Sequence, residues 1–330
     1  MTNAKNGRKK STKEFKIITA IVVIILIVTN LITRAKEVQQ QIVLKERTNS
    51  EKVEGELVLT MIDVGQADCF LLMQNGKTAL IDCGTRSTGE DAVEYLKSIG
   101  ITKLDYVFGT HPHDDHMGGM YDIITNFDVG QIIIPKIEEE ITSNWYIKLI
   151  EELSFGDYNI GNSAVGDIYY LGDATIKVIG PISDANGNIN NYSTVMKISF
   201  GEMDIIMTGD AETEVEEGIL ATKENIDAEI LKVGHHGSDT SSSEGFLDAI
   251  SPDYALISTK IGNKYEHPIK STMENLKERN IEVYRTDENG TVVATITSAS
   301  VSFNCEPGDY LSGIELEEEK ENTQWKAMQQ

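Results

Sequence analysis

Three of the chain's six histidines fall within six residues, in Thr110-His-Pro-His-Asp-Asp-His-Met-Gly-Gly119, directly behind the apolar run LDYVFGT. The spacing is His-x-His-x-Asp-His. A tight loop at the end of a buried strand can aim alternate side chains at one point, and imidazoles beside a carboxylate suit Zn²⁺ or a similar divalent ion. Pro112 fixes one backbone angle of that loop, while Gly118 and Gly119 let the backbone pass close to a site. A solvated loop with chance histidines would not gather half of the histidines beside Asp114 and Asp115. Any fold for this chain must therefore bring other donors to the end of that strand.

The remaining sequence can supply such a frame. From Glu54 onward come GELVLTMIDVG, CFLLM and TALIDC, then helical spacing over 91–99 and the buried strand LDYVFGT. Strands and helices then alternate: VGQIIIP, a helix near 143–153, DIYYLG, ATIKVIG, VMKISF and DIIMTGD. After them come a helix near 212–221, EILKVG, a helix near 244–250, YALIST, a helix near 269–278, IEVYRT, VVATI and VSFNC. Two strand-rich halves punctuated by helices indicate an α/β sandwich with helices on its outer faces. Residues 306–330 include the acidic run GIELEEEKEN, expected to be a solvated, flexible tail.

Charge is unevenly distributed. The net charge is −24, yet residues 1–36 hold eight basic groups and one acidic group, so the remainder carries −31. A surface that acidic repels polyanions and argues against a broad nucleic-acid-binding face, although bound cations can make a small site locally positive. Residues 15–33, FKIITAIVVIILIVTNLIT, carry one charge and would reach about 28 Å as a helix, close to a hydrocarbon core of about 30 Å. The basic tail at 1–14 places the N-terminus in the cytoplasm, 15–33 across the membrane, 34–53 as a polar juxtamembrane stalk, and the rest outside the cell. The apolar run exceeds a signal peptide's core of about 7–15 residues, so an uncleaved single-pass anchor is expected. Cleavage near Thr33-Arg34-Ala35 is the alternative and would secrete the domain.

Three cysteines exclude a disulfide-rich scaffold. Asn75-Gly76 signals a hairpin that sets Cys69 opposite Asp82 and Cys83 opposite Asp68, so the two thiols should face opposite sides and stay free. Cys305 is then an unpaired third.

The blocks MIDVGQADCFLL, ALIDCG, THPHDDHMGG, IMTGDAE, LKVGHHGS, YEHP and YRTDENG, in this order over 54–305, resemble the metallo-β-lactamase superfamily. Within it they are most similar to the extracellular hydrolase domain of ComEC-type competence proteins. The resemblance implies an αββα sandwich with two divalent metals at the loop edge of its sheets, zinc being expected and manganese the alternative. His111 and His113 resemble ligands of the first metal, Asp115 and His116 ligands of the second, and Asp210 the carboxylate that bridges them. One carboxylate can hold two cations about 3.5–4 Å apart, and an aspartate ahead of AETEVEE is also a good helix cap. The last histidine ligand is His235 or His236. His235 is assigned to the metal, leaving His236 to face substrate or support the ligands. His267 resembles a position at the site mouth, as ligand, proton donor or surface histidine. Asp63 is expected to order loops, and Asp82 to accept a histidine N–H.

The sequence departs from the family in two places. No histidine occurs in 117–234, where many members have a further ligand; Asn190-Asn191-Tyr192-Ser193 stands in its place, as in ComEC-like domains. Ala67 stands where the family's DVGQGD block usually has glycine. The implied chemistry is metal-assisted hydrolysis by a hydroxide held between two cations, with Asp115, His236 or His267 handling protons. The expected substrate is a phosphodiester or another ester, DNA or a wall polymer among them. A β-lactam or lactone hydrolase and a non-catalytic tethered binding protein are the competing readings.

Overall fold

The computed structural model describes residues 54–182 and 185–328. The basic tail, membrane anchor and stalk expected over 1–53 lie outside these residues. Among the described residues no helix is long and apolar enough to cross a membrane.

The first half builds β1 (Leu57–Met61), β2 (Phe70–Gln74), β3 (Lys77–Ile81), β4 (Lys103–Phe108), β5 (Asp128–Ile134) and β6 (Ile160–Asn162). The second supplies β7 (Ile168–Leu171), β8 (Ala174–Gly180), β9 (Val195–Phe200), β10 (Met203–Met207), β11 (Ile230–Lys232), β12 (Tyr254–Ile257) and β13 (Glu282–Arg285). Two late strands, β14 (Val292–Ile296) and β15 (Val301–Phe303), return to the first sheet, whose order is β15-β14-β1-β2-β3-β4-β5-β6. The second sheet runs β13-β12-β11-β10-β9-β8-β7.

Period-two alternation decides what each strand buries. Leu57, Leu59, Met61, Phe70 and Leu72 meet Ile176, Ile198, Ile205 and Ile230 between the sheets. Leu71, Leu80, Val107 and Ile132 face outward onto α1 (Gly89–Ser98), α2 (Asp114–Met117), α3 (Met120–Asn126) and α4 (Asn144–Phe155). On the far side Ile206, Leu231, Ala255 and Val283 pack under α5 (Thr213–Thr222), α6 (Glu244–Ile250) and α7 (Lys270–Glu278). With both faces covered, these strands read as nearly continuous apolar runs. The α/β sandwich with outer helices expected from the sequence is the observed architecture.

The Asn75-Gly76 hairpin has the expected register, with Phe70 opposite Ile81 and Gln74 opposite Lys77. All three cysteines are free, but Cys69 and Cys83 share the outer core instead of facing opposite sides. Asp82 between them adopts a left-handed backbone, φ 58°, which breaks the alternation after Ile81. Gly119 is required by packing: a Cβ there would lie 2.1 Å from the Cys83 carbonyl oxygen. The close approach is to this neighbouring segment.

The C-terminal segment departs from the flexible tail expected. After α8 (Thr286–Asn289) and β15, residues Gly313–Met328 form α9. Leu316 is buried. The segment leading into α9 is tied down as well, with Gly308 N–H donating to Val283 O and the buried Arg285 guanidinium donating to Leu311 O. Gly313 sits so tightly that a Cβ would meet the carbonyl oxygens of His267 at 2.3 Å and Glu266 at 2.8 Å. The acidic composition concealed these anchors, because a helix can be polar around most of its surface and still dock through one apolar residue.

Candidate metal centre

Parallel strands from both sheets end on one crevice, the usual place for a site in open α/β sheets. β3 ends at Asp82 and β4 leads into the His111–His116 loop. β10 leads to Asp210, β11 to His235 and His236, and β12 to Ser258. Every ligand expected from the sequence arrives here from a strand end or the turn after it.

Asp210 Oδ2 is the hub. The Nε2 atoms of His116, His235, His236 and His111 stand 3.1, 3.6, 3.8 and 3.9 Å from it. His111 Nε2 and His113 Nδ1 face each other at 3.0 Å. Two nitrogens on one tetrahedral Zn²⁺, each about 2.0–2.1 Å from it, would be about 3.4 Å apart. Three donor groups follow: His111, His116 and Asp210; Asp115, His116 and His236; and, behind that ring, His116 Nδ1 with Asp68 and Asp82. Asp210 is not the cap of the following helix, because Glu212 holds that place.

Hydrogen bonds behind the rings fix which nitrogen points inward. His116 Nδ1 donates to Asp82 Oδ2 at 2.7 Å, as the sequence suggested, and Asp82 is held by Thr110 N–H and Oγ1. His236 Nδ1 donates to Ser258 O at 2.8 Å. Both rings therefore turn Nε2 to the centre, the arrangement found behind metal-bound histidines. Those buried Nε2 atoms and Asp210 Oδ1 have no hydrogen-bond partner. Buried polar atoms left unpaired are costly, and three converging on one point fit a bound cation.

The donor groups take in His236, where the sequence reading assigned His235 to the metal. Both adopt left-handed backbones, φ 49° and 55°. The sharp turn buries His236 against β12, beside Asp115 and His116, and leaves His235 with 24% of its side chain exposed at the mouth. Asp63 is exposed; its Oδ1 accepts from Gly65 N–H within its own turn, and its N–H donates to Thr291 Oγ1 on another loop. His267 is buried, so the surface reading fails, and among the described residues it belongs to no donor cluster. Its ring lies 5.5 Å from that of His235.

Two residues escaped the sequence reading. Asp68 and Lys232 are both buried and paired at 2.7 Å, and Lys232 Nζ lies 3.7 Å from Asp210 Oδ1. Each was visible as a lone charge in an apolar run, ADCFLLM and ILKVG. Four carboxylates (Asp68, Asp82, Asp115 and Asp210) against one ammonium leave −3, which two divalent cations balance to within one charge. Where other members of this resemblance have a histidine, Ser193 Oγ accepts from Asp210 N–H at 3.0 Å and contacts His111 Nδ1 at 3.2 Å. It links the hub to a ligand without joining either metal group.

Burial opposes charge throughout the centre, and specific partners decide where charge survives. Asp210 stays well below the ordinary carboxylate range because His116, His236 and Lys232 outweigh its burial. His116 is raised well above its usual value by Asp210 and Asp82 against burial. Asp115 is lowered by His236 and His116 despite burial. Burial, then the nearby histidine His116, keeps His111 neutral. His267 is lowered to about 4 by burial and then by His235 and His236.

Comparison with known proteins agrees with this geometry. A family model, the metallo-beta-lactamase superfamily, matches residues 62–259. ComE operon protein 3 of Bacillus subtilis is 31% identical over 259 residues, covering 72% of this chain and 33% of the relative. Competence protein ComA of Neisseria gonorrhoeae is 27% identical over 239 residues, covering 72% of this chain and 32% of the relative. The chain thus spans about a third of the length of these relatives. Among solved structures, CmlA, a diiron beta-hydroxylase from Streptomyces venezuelae, superposes with a TM-score of 0.51 at 16% identity, over 75% of this chain and 55% of that one. That likeness concerns the fold alone.

Proposed function

The chain belongs to the metallo-beta-lactamase superfamily, and from that premise we propose that it is a metal-dependent phosphodiesterase, held at the cell surface by residues 15–33 with its catalytic domain outside the cell. The observation that carries the hydrolase reading is the ring of imidazole nitrogens around Asp210 Oδ2, two of them buried and unpaired. A relative named for competence makes a nucleic-acid phosphodiester the first bond to test.

Two divalent cations, zinc or manganese, would lower the pKa of a water from 15.7 toward about 7 and neutralise charge developing on phosphoryl oxygens. His111, His113, His116, Asp115, Asp210 and His236 would hold them. The chain's own residues do the rest. Asp82 and the Ser258 carbonyl lock two rings so that little reorganisation is needed when charge develops. Asp115 is held ionised by His236 and His116, with 26% of its side chain exposed, and would be the carboxylate available to accept a proton. His267 is neutral near pH 7, so it can pass a proton but does not store one as imidazolium. The acidic domain can then take an anionic substrate end-on, at the one place where cations reverse the sign of the field.

The test uses the full-length chain in detergent. Metal analysis should find one to two equivalents of zinc or manganese, and bis-p-nitrophenyl phosphate should be hydrolysed in a chelator-sensitive way. Turnover of nitrocefin without any phosphodiester activity would reassign the substrate class. Metal-free protein inactive on every ester would leave the binding-protein reading.

A further inference from the structure

A second feature lies outside the ligands, on the loop between β12 and α7. From His236 outward, aromatic rings follow one another to the surface: His235 at 6.3 Å, His267 at 5.5 Å from it, and Tyr265 stacked on His267 at 5.6 Å with planes 25° apart. Tyr265 is half exposed. Lys264 Nζ lies over the same ring, 4.6 Å from its centre.

The loop is rigidly built although it has no regular structure. Asn263 Oδ1 accepts from the N–H groups of Tyr265 and His267, and its Nδ2 donates to the carbonyls of Lys260 and His267. Thr259 Oγ1 donates to His267 O, and Gly313 at the start of α9 closes the far side. One residue points to a ligand independently: His267 is only 7% exposed, yet its Nδ1 has no hydrogen-bond partner. A buried nitrogen left bare at the base of an exposed ring needs a polar group from outside the chain.

We propose that Tyr265, seated on His267 and flanked by Lys264, is the platform on which a base of a single-stranded nucleic acid stacks next to the bond being cleaved. An aromatic face takes any base, and stacking on such a face is worth about 1–3 kcal/mol per base. Lys264 selects between possible occupants. Its ammonium occupies the ring face that a choline group would need and repels that cation. It instead attracts the phosphate joined to a stacked nucleoside, and its exposed side chain can swing aside as the base arrives. A local lysine also explains how a strand finds an entrance on an otherwise acidic domain.

The proposal rests on the phosphodiester reading of the centre, and the experiment separates the two. Fluorescence anisotropy with the metal-loaded full-length chain in detergent compares a labelled oligothymidylate with a strand of equal length carrying abasic sites, both with cleavage-resistant phosphorothioate linkages. Wild type should bind the thymidylate roughly 5- to 150-fold more tightly. Tyr265→Ala should erase that preference and Tyr265→Phe, which keeps the ring, should retain it. Lys264→Gln should weaken both strands alike and flatten the dependence on salt. Equal binding of the two strands by wild type, no binding of either, or a preference that survives Tyr265→Ala overturns the platform. Failure of the metal-loaded chain to cleave bis-p-nitrophenyl phosphate overturns the phosphodiesterase reading, and the preference between uncleavable strands is read independently of it.

Discussion

The interior and the rim of the site are built on different principles. In the interior, His111, His116, Asp210 and His236 are nearly inaccessible. Asp82, Ser258 and Ser193 fix their neighbours from behind, and Lys232 with Asp68 balances the charge. At the rim, His113, Asp115 and His235 keep partial contact with water, and Tyr265 is half exposed. The interior is organised before any metal arrives, so its errors should cost folding and metal affinity. The rim is free to adapt, so its errors should appear as changed substrate preference or pH dependence.

The largest effect should come from Lys232→Met, which leaves Asp68 and Asp210 buried without their shared cation. Removing one partner of such a pair costs about 3–5 kcal/mol, measurable as a lowered urea midpoint. A midpoint equal to wild type would erase the distinction between interior and rim. Asp210→Asn keeps the shape of the hub but removes the charge that would hold the cations, and should abolish chelator-sensitive phosphodiesterase activity. Asp82→Asn should weaken metal binding by about 10–100-fold, as expected for the group that orients a metal-bound histidine. Titrated the same way, His236→Ala should lose more metal affinity than His235→Ala, and the reverse order would restore His235 as the ligand.

The smallest effect concerns His267. Its folded pKa is about 4 and its unfolded pKa about 6.5. Between those values the unfolded chain takes up a proton that the folded chain refuses, so stability falls as pH drops from about 6.5 to about 4. His267→Gln removes this contribution and should make the loss of stability between pH 7 and pH 5 shallower. An unchanged slope in urea titrations at the two pH values would show that His267 is not held neutral.

The sequence expressed the interior through spacing and the frame through periodicity. Almost every strand is an apolar run between turn residues, because both faces of each sheet are covered. β6 was not anticipated: Ile160–Asn162 is three residues long with a glycine at its centre, too short for a period to show. The order of His235 and His236 was not legible either, since two left-handed residues in succession obey neither the strand nor the helix period. Asp68 and Lys232 were visible only as charges out of place, and what they pair with depends on which strand ends meet. The platform at Tyr265 depends on Asn263 folding a loop, a tertiary event that composition does not announce.

Gly313 gives the far end of the domain a say in what enters it. A chain cut back to Cys305 would retain every ligand discussed above, yet the loop bearing Tyr265 and His267 would lose the wall behind it. Such a protein should load metal normally and discriminate poorly, so that evolution or an engineer could retune selectivity from the C-terminal helix without touching a single donor atom.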